Sequence, residues 1–350
     1  MKLYEIIVKP LSGFGTPLKA DTLLGHFCWQ AAYDPSLLNG GLKKWISSYG
    51  EKPFVIFSSA WPKIEDSGKF FYAFKRPDMP ISFIFPTSQR NKKKAIEQLK
   101  ENKKKKWMKV DESLSLDLDS VEYLTNKELV EKAHRQATKD TRRMMRGKRH
   151  QEFCLEFIQQ HNTINRMTMT TGEGMFAPFT ETNLFYYPET ELAIFVLIDE
   201  DATDIEKVCT TLENIGKFGF GRDASTGCGR FELGEYDELD WPSVESPNAC
   251  YVLGPVVPEK GLFSDHYFEP FVRFGKHGDV LAKSENPFKN PVIMADEGSI
   301  FVTKNQDVFK SPYIGKAVFN TSKVKEHTVV HQGYALYLPL RLEMRHERTS

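Results

Sequence analysis

Apolar and polar residues alternate from the start of the chain. Tyr4, Ile6 and Val8 face one way and Leu3, Glu5, Ile7 and Lys9 the other, until Pro10 ends the run. A period of two over this length predicts a β-strand. A turn-rich loop follows, Ser12-Gly13-Phe14-Gly15-Thr16-Pro17, and the period then changes. Leu23, Leu24, Phe27 and Cys28 recur at helical spacing, and Asp21 ahead of them is expected to cap that helix. Residues 54–58 and 70–74 read as further strands. From about residue 88 the periodicity weakens and the chain turns basic. We read this stretch, to about residue 180, as an insertion, because its apolar content is too low for a core of its own. The pattern resumes at Leu192-Ala193-Ile194-Phe195-Val196-Leu197-Ile198, a buried strand by length and composition. Thr203 and Glu206 have the spacing of a capping box, before a helix with an apolar stripe of Ile205, Val208, Cys209, Leu212 and Ile215. Arg230-Phe231-Glu232-Leu233 then reads as a strand.

Strand, helix, strands, insertion, strand, helix, strand is the β-α-β-β-α-β order of a ferredoxin-like fold, which places the chain in the α+β class. That unit is expected to occupy residues 1–240. Beyond it, short strand candidates at 267–274, 299–303 and 334–342 alternate with Gly/Pro loops. They predict a second, looser α+β unit over 241–350.

Composition adds a divided charge. The 350 residues carry 47 Lys+Arg and 47 Asp+Glu, a formal net charge of zero. Taken whole, that balance argues against a coat for nucleic acid or anionic membrane. The total conceals two blocks: residues 90–149 hold 19 basic against 10 acidic side chains, and residues 181–250 hold 4 against 16. The run Lys103-Lys104-Lys105-Lys106 is read as a solvated face. Lys139, Arg142, Arg143, Arg146, Lys148 and Arg149 follow a helical stretch from Thr125, with Leu129, Ala133 and Ala137 on one face. They form an arginine stripe suited to a phosphate ladder, and are candidate phosphate contacts. Hydrophobic residues at 40%, with 26 Phe, exclude a disordered or fibrous chain. The five cysteines are widely spaced and never in a C-x-x-C pair, so neither a disulfide framework nor a zinc site is expected. With no apolar run near 18 residues and no signal-peptide pattern, the expectation is a cytoplasmic protein that does not contact membrane.

The strongest local feature is Lys217-Phe218-Gly219-Phe220-Gly221-Arg222-Asp223-Ala224-Ser225-Thr226-Gly227-Cys228-Gly229-Arg230. Its Gly219-x-Gly221-x-x-Ala224 formally matches a dinucleotide fingerprint. The context fails, because here a helix precedes the glycines and a strand follows. No phosphate-binding G-x-x-x-x-G-K-[S/T] occurs. What remains is a loop that lets a phosphate backbone approach, with Arg222 and Arg230 as cations, Ser225 and Thr226 as hydroxyl donors, and amides able to form an anion nest. Phe14 and Phe220, each flanked by glycines, are candidate stacking platforms for bases. Residues 162–176 alternate Thr and Met before Gly172-Glu173-Gly174, which predicts an exposed hairpin. Asn165 and Arg166 there are candidates for phosphate or base edges. His150, His161, His327 and His331 lack metal-like placement, and His26 is the one histidine considered as a general base.

Taken in order, these segments resemble the RAMP subunits of type III-A (Csm-type) CRISPR effector complexes. The resemblance rests on Gly15-Thr16-Pro17-Leu18-Lys19-Ala20-Asp21-Thr22-Leu23-Leu24-Gly25-His26-Phe27-Cys28-Trp29, on Phe57-Ser58-Ser59-Ala60-Trp61-Pro62, and on Asn165-Arg166 with its Thr/Gly hairpin. It rests also on the loop from Gly219 to Arg230 and on Val329-Val330-His331-Gln332-Gly333-Tyr334-Ala335-Leu336-Tyr337-Leu338-Pro339. The resemblance implies two ferredoxin-like (RRM-like) halves, the second degenerate and β-rich, with a thumb-like hairpin. It implies a non-catalytic subunit that caps the 5′ handle of the crRNA, lies near the target RNA at the guide duplex, and uses no cofactor or metal. The implied protein partners are the large polymerase-like signalling subunit and a backbone RAMP subunit. On that reading Gly219, Gly221, Arg222, Ser225, Thr226, Gly227, Gly229 and Arg230 match the handle-binding loop. Thr16, Lys19 and Asp21 match the mouth of the first helix, and Asn165 and Arg166 lead into the hairpin. Cys228 departs from the expected basic or small polar residue. The alternative is a RAMP endoribonuclease that cuts precursor crRNA with His26 as base.

Overall fold

The computed structural model describes residues 1–86, 91–146, 152–324 and 329–343. Its first half runs β1 (Lys2–Pro10), α1 (Ala20–Tyr33), α2 (Leu42–Ser48), β2 (Val55–Asp66) and β3 (Lys69–Lys75). After the short α3 (Ile81–Ile84), the inserted stretch contributes α4 (Lys92–Lys104), β4 (Lys105–Asp111), β5 (Glu122–Thr125), α5 (Asn126–Gln136), α6 (Lys139–Met144) and β6 (Cys154–His161), and β7 (Phe179–Tyr186) leads out of it. β8 (Glu191–Ile198), α7 (Ile205–Phe218) and β9 (Phe231–Leu239) complete the half. Seven strands form one antiparallel sheet in the order β5-β4-β3-β2-β8-β1-β9. β8 lies between β1 and β2 and is buried along almost its whole length, as a strand covered on both faces must be. α1 places Phe27 against Phe54 and Phe57, and Leu23 and Leu24 are buried beside it.

Two expected helix starts are displaced. The N-cap position of α1 is Lys19, with no side-chain cap, because the Asp21 carboxylate is taken by Arg273. At α7 the cap is Asp204, whose carboxylate accepts from the Lys207 amide at 2.9 Å, while the Thr203 hydroxyl donates to the Leu37 carbonyl. A tertiary acceptor outcompetes the local one in each case. A complete capping box does occur, at Thr125 and Glu128 of α5.

Among the described residues, the buried apolar side chains of the insertion join the core of the first half. β4 and β5 lengthen the main sheet, and Met108, Val110, Leu124, Leu129 and Val130 join its single hydrophobic cluster. The lysine run lies at the α4–β4 junction, where Lys104 pairs with Glu101. β6 and β7 leave the sheet as a two-stranded ribbon paired from Cys154↔Tyr186 to His161↔Phe179.

The second half adds β10 (Ala249–Val252), β11 (Asp265–Tyr267), β12 (Pro270–Arg273), β13 (Val292–Ala295), β14 (Ile300–Val302), β15 (Tyr313–Gly315), β16 (Val318–Phe319), β17 (Val330–His331) and β18 (Tyr334–Leu340). Five of these strands pair in the order β11-β14-β10-β18-β15. Two segments singled out by the resemblance join the halves. Ser58 and Ser59 sit at a register break in β2, and the Gln332 side chain is held there: its amide donates to the Phe57 carbonyl, and its carbonyl accepts from the Phe57 amide. The Ser59 amide and the Trp61 indole both donate to the Leu253 carbonyl. These bonds satisfy buried backbone groups that the bulge would otherwise strand. Among the described residues no helix is long and apolar enough to cross a membrane.

Candidate nucleic-acid interface

The loop from Gly219 to Arg230 is folded by its glycines. Gly219 (φ 107°) ends α7, and Gly221, Gly227 and Gly229 also have positive φ. Two glycines allow a close approach. A Cβ on Gly221 would lie 2.5 Å from the Thr16 Cβ, and one on Gly229 would lie 2.1 Å from the Phe220 carbonyl oxygen. The loop therefore presses on the turn ahead of α1. The Arg222 amide donates to the Thr16 hydroxyl at 3.0 Å, the Gly229 amide to the Gly13 carbonyl at 2.7 Å and the Arg230 amide to the Ser12 hydroxyl at 2.9 Å.

Those bonds take up most of the amides of the expected anion nest and leave those of Asp223, Ala224 and Ser225 without an acceptor among the described residues. The amides of Phe220, Gly221, Arg222, Thr226, Gly227, Cys228, Gly229 and Arg230 all donate within the protein. What faces outward is side chain: Arg222, Ser225, Thr226 and Arg230 are exposed, beside half-buried Gly227 and Cys228. Arg222 is partly engaged, since one Nη donates to the Thr182 carbonyl of β7 at 2.6 Å and its Nε pairs with Asp223 at 3.0 Å. It fastens the hairpin to the loop. The guanidinium of Arg230 takes part in no ion pair among the described residues, so it is the freer phosphate donor.

Three further residues have structural work. Lys19 is buried, with its Nζ 2.5 Å from Asp296 and 2.6 Å from Glu297. Asp21 is buried and bound by both Arg273 Nε at 2.6 Å and Nη2 at 3.0 Å. Burial alone would raise its carboxyl pKa, but the Arg273 guanidinium brings it below the ordinary value. Both residues lie near the mouth in sequence and serve the joint between the halves. Phe220 and Phe14 are also not stacking platforms. Phe220 is buried and stacks on the His26 ring at 4.8 Å, and Phe14 is buried edge-on against Tyr186 at 5.5 Å. Glycines on either side fold the backbone over these rings. Phe218, by contrast, is 72% exposed at the end of α7, although its spacing continues the apolar stripe.

His26 is no open base. Its Nε2 accepts from the Gly221 amide at 3.0 Å, and burial lowers its pKa to about 4. The neutral ring thus holds the loop. Its folded-state pKa lies below the ordinary 6.5, so the unfolded chain binds the proton first on acidification. The stability it contributes is complete above pH 6.5 and is lost as pH falls toward 4. His26→Gln, which keeps an acceptor, is expected to flatten this part of the pH–stability curve in urea titrations. An unchanged slope between those pH values would reject the assignment.

The hairpin is exposed as expected, with different bounds: its arms are β6 and β7, and residues 162–178 form the tip. Asn165 builds a turn there, its side chain accepting from the Met167 amide at 2.9 Å, and Arg166 is exposed. Met167, Met169 and Met175 are 93%, 76% and 82% exposed, so the methionines do not pack on their own domain. Arg142, Arg143 and Arg146 are exposed around α6, whereas Lys148, Arg149, His150 and His327 lie outside the described residues. Among the described residues no group of His, Cys, Asp and Glu could hold a metal.

No family model matches this sequence, and no curated protein matches it. Solved structures match by fold. One is a Csm1–Csm4 cassette in complex with pppApA, 14% identical, TM-score 0.54, with 98% of each chain covered. Another is a Csm1–Csm4 cassette in complex with cA4, 12% identical, TM-score 0.55, covering 97% of this chain and 98% of that one. A third is the Csm3–Csm4 subcomplex of the type III-A CRISPR-Cas interference complex, 15% identical, TM-score 0.52, covering 98% and 100%. Across nearly its whole length, the chain thus shares the fold of a chain found in Csm1–Csm4 and Csm3–Csm4 assemblies of CRISPR-Cas complexes.

Proposed function

We propose that this chain is a non-catalytic RNA-binding subunit of a type III CRISPR interference complex, holding the crRNA 5′ handle and bridging the large signalling subunit to the backbone RAMP subunits. The observation that carries the reading is the convergence of three distant segments. The turn ahead of α1, the glycine loop and the β7 arm of the hairpin meet through Thr16, Gly221 and the Arg222–Thr182 bond. Together they present Arg230, Ser225 and Thr226 outward, a backbone-reading surface on which phosphates need no sequence code. The ferredoxin-like reading of the first half is supported by the order β9-β1-β8-β2, with α1 and α7 as the crossovers of a split β-α-β pair. The non-catalytic reading is supported by His26, whose Nε2 already has a structural partner. The neighbours occur as Csm1–Csm4 and Csm3–Csm4 assemblies, and this supports contact with both kinds of partner.

Arg230→Ala is the discriminating variant, because its side chain can be removed without breaking the loop's own bonds. It is expected to weaken binding of handle RNA about 3- to 30-fold and to reduce the salt dependence by about one phosphate contact. Copurification of the chain with small RNA of a fixed 5′ end, crosslinked to residues 219–230, is the direct check. RNA crosslinks confined to other surfaces would reject handle capping.

A further inference from the structure

A second cationic feature lies in the insertion, apart from the glycine loop. α5 and α6 meet at Ala137 and Thr138, and a cleft of about 930 Å3 opens between them. Arg135, Lys139, Arg142, Arg143 and Arg146 line it, against the single carboxylate of Glu131. Glu131 is itself paired with Lys127 at 3.8 Å, and no ion pair among the described residues includes any of the five cations. Elsewhere in the insertion Lys109 and Lys132 both reach Asp66, and the lysines of α4 lie on a helix with no buried residue rather than in a cleft. Five unpaired cations thus converge on one concave place, where mutual repulsion favours an incoming anion.

The cleft is built rather than incidental. Glu189 fastens α6 by accepting from the Thr138 amide at 2.6 Å and from the Thr138 and Thr141 hydroxyls, both at 2.7 Å. Val130, Met145 and Tyr187 add apolar lining, and the Tyr187 hydroxyl is 2.6 Å from the His134 Nδ1. Apolar surface within a guanidinium rim suits a nucleoside with its phosphates turned outward, since each arginine fork matches phosphate oxygens. The volume exceeds what a lone inorganic anion needs. Tyr187 directly follows β7, so the cleft stands at the root of the projecting hairpin.

We propose that this cleft is a second RNA site, which takes single-stranded phosphodiester backbone without regard to sequence. The inference rests on the RNA-binding reading above, and its test separates the two. The full chain is titrated with a short labelled oligouridine and, separately, with handle RNA. Replacing Arg142, Arg143 and Arg146 together by alanine is expected to weaken oligouridine binding about tenfold or more and to flatten the salt slope by about 2. Arg230→Ala should leave oligouridine binding nearly unchanged. Glu131→Gln removes the one lining carboxylate and should tighten oligouridine binding about twofold, a gain that misfolding cannot imitate. Wild-type oligouridine affinity and slope in the triple variant, or no gain with Glu131→Gln, would overturn the second site. Loss of handle binding with Arg230→Ala would still uphold the handle reading. Competition by adenosine monophosphate as strong as that of the oligomer would instead mark a mononucleotide pocket and also overturn the proposal.

Discussion

Gly229→Ala is expected to collapse the glycine loop and abolish handle binding, whereas Gly227→Ala two residues earlier is expected to be tolerated. Both positions have positive φ, 72° and 98°, so each alanine incurs about 1–2 kcal/mol of backbone strain. The surroundings differ. A Cβ at Gly229 would sit 2.1 Å from the Phe220 carbonyl oxygen and 2.5 Å from its nitrogen, while one at Gly227 meets nothing within 4 Å. The Phe220–Gly229 contact is also where the loop closes, with the Phe220 amide donating to the Gly229 carbonyl at 2.9 Å. Separating two backbones adds about 1–3 kcal/mol of overpacking, giving a total of about 2–5 kcal/mol. Urea unfolding and handle-RNA titration of both variants measure the contrast. Equal stabilities would show that the loop closes by some other contact.

Arg273→Met is the second large effect, expected to destabilise the fold by about 3–5 kcal/mol. The Asp21 side chain is only 1% exposed and Arg273 is its bidentate partner, so removal of the guanidinium leaves a buried carboxylate beside His331, at 3.6 Å, whose ring is neutral near pH 7 because burial lowers its pKa to about 4. Asp21→Asn combined with Arg273→Met should recover part of the loss, because the uncompensated charge is then gone. Chemical denaturation of the single and double variants closes the cycle. A loss below about 1 kcal/mol in Arg273→Met would mean that the joint is held by apolar packing and the Lys19 pairs instead.

Much of the first half was legible because its signals are local. The alternation at Tyr4, Ile6 and Val8 is β1, the apolar run at 192–198 is β8, and the stripe from Ile205 to Ile215 is α7. The glycine loop was legible for a similar reason: four glycines within eleven residues permit left-handed backbone angles, and all four adopt positive φ here. The chemistry of individual side chains was less legible. Lys19 and Asp21 sit beside the mouth in sequence, yet their partners are 252 to 278 residues away, so nothing nearby announces their ion pairs. Phe220 looks like an offered ring between glycines, and the same glycines are what fold it under the loop onto His26.

Local pattern was therefore enough for the elements of the first half outside the insertion, the glycine loop, the exposed hairpin and the division of a neutral total into basic and acidic blocks. Which charges stay unpaired at the surface depends on the folded chain. Arg230 and the α6 arginines are left unpaired, while Lys19, Asp21 and part of Arg222 are spent on internal contacts. The physical reason is range. Periodicity and turn chemistry act between neighbours along the chain, whereas a charge is neutralised by whatever the fold brings within about 4 Å of it.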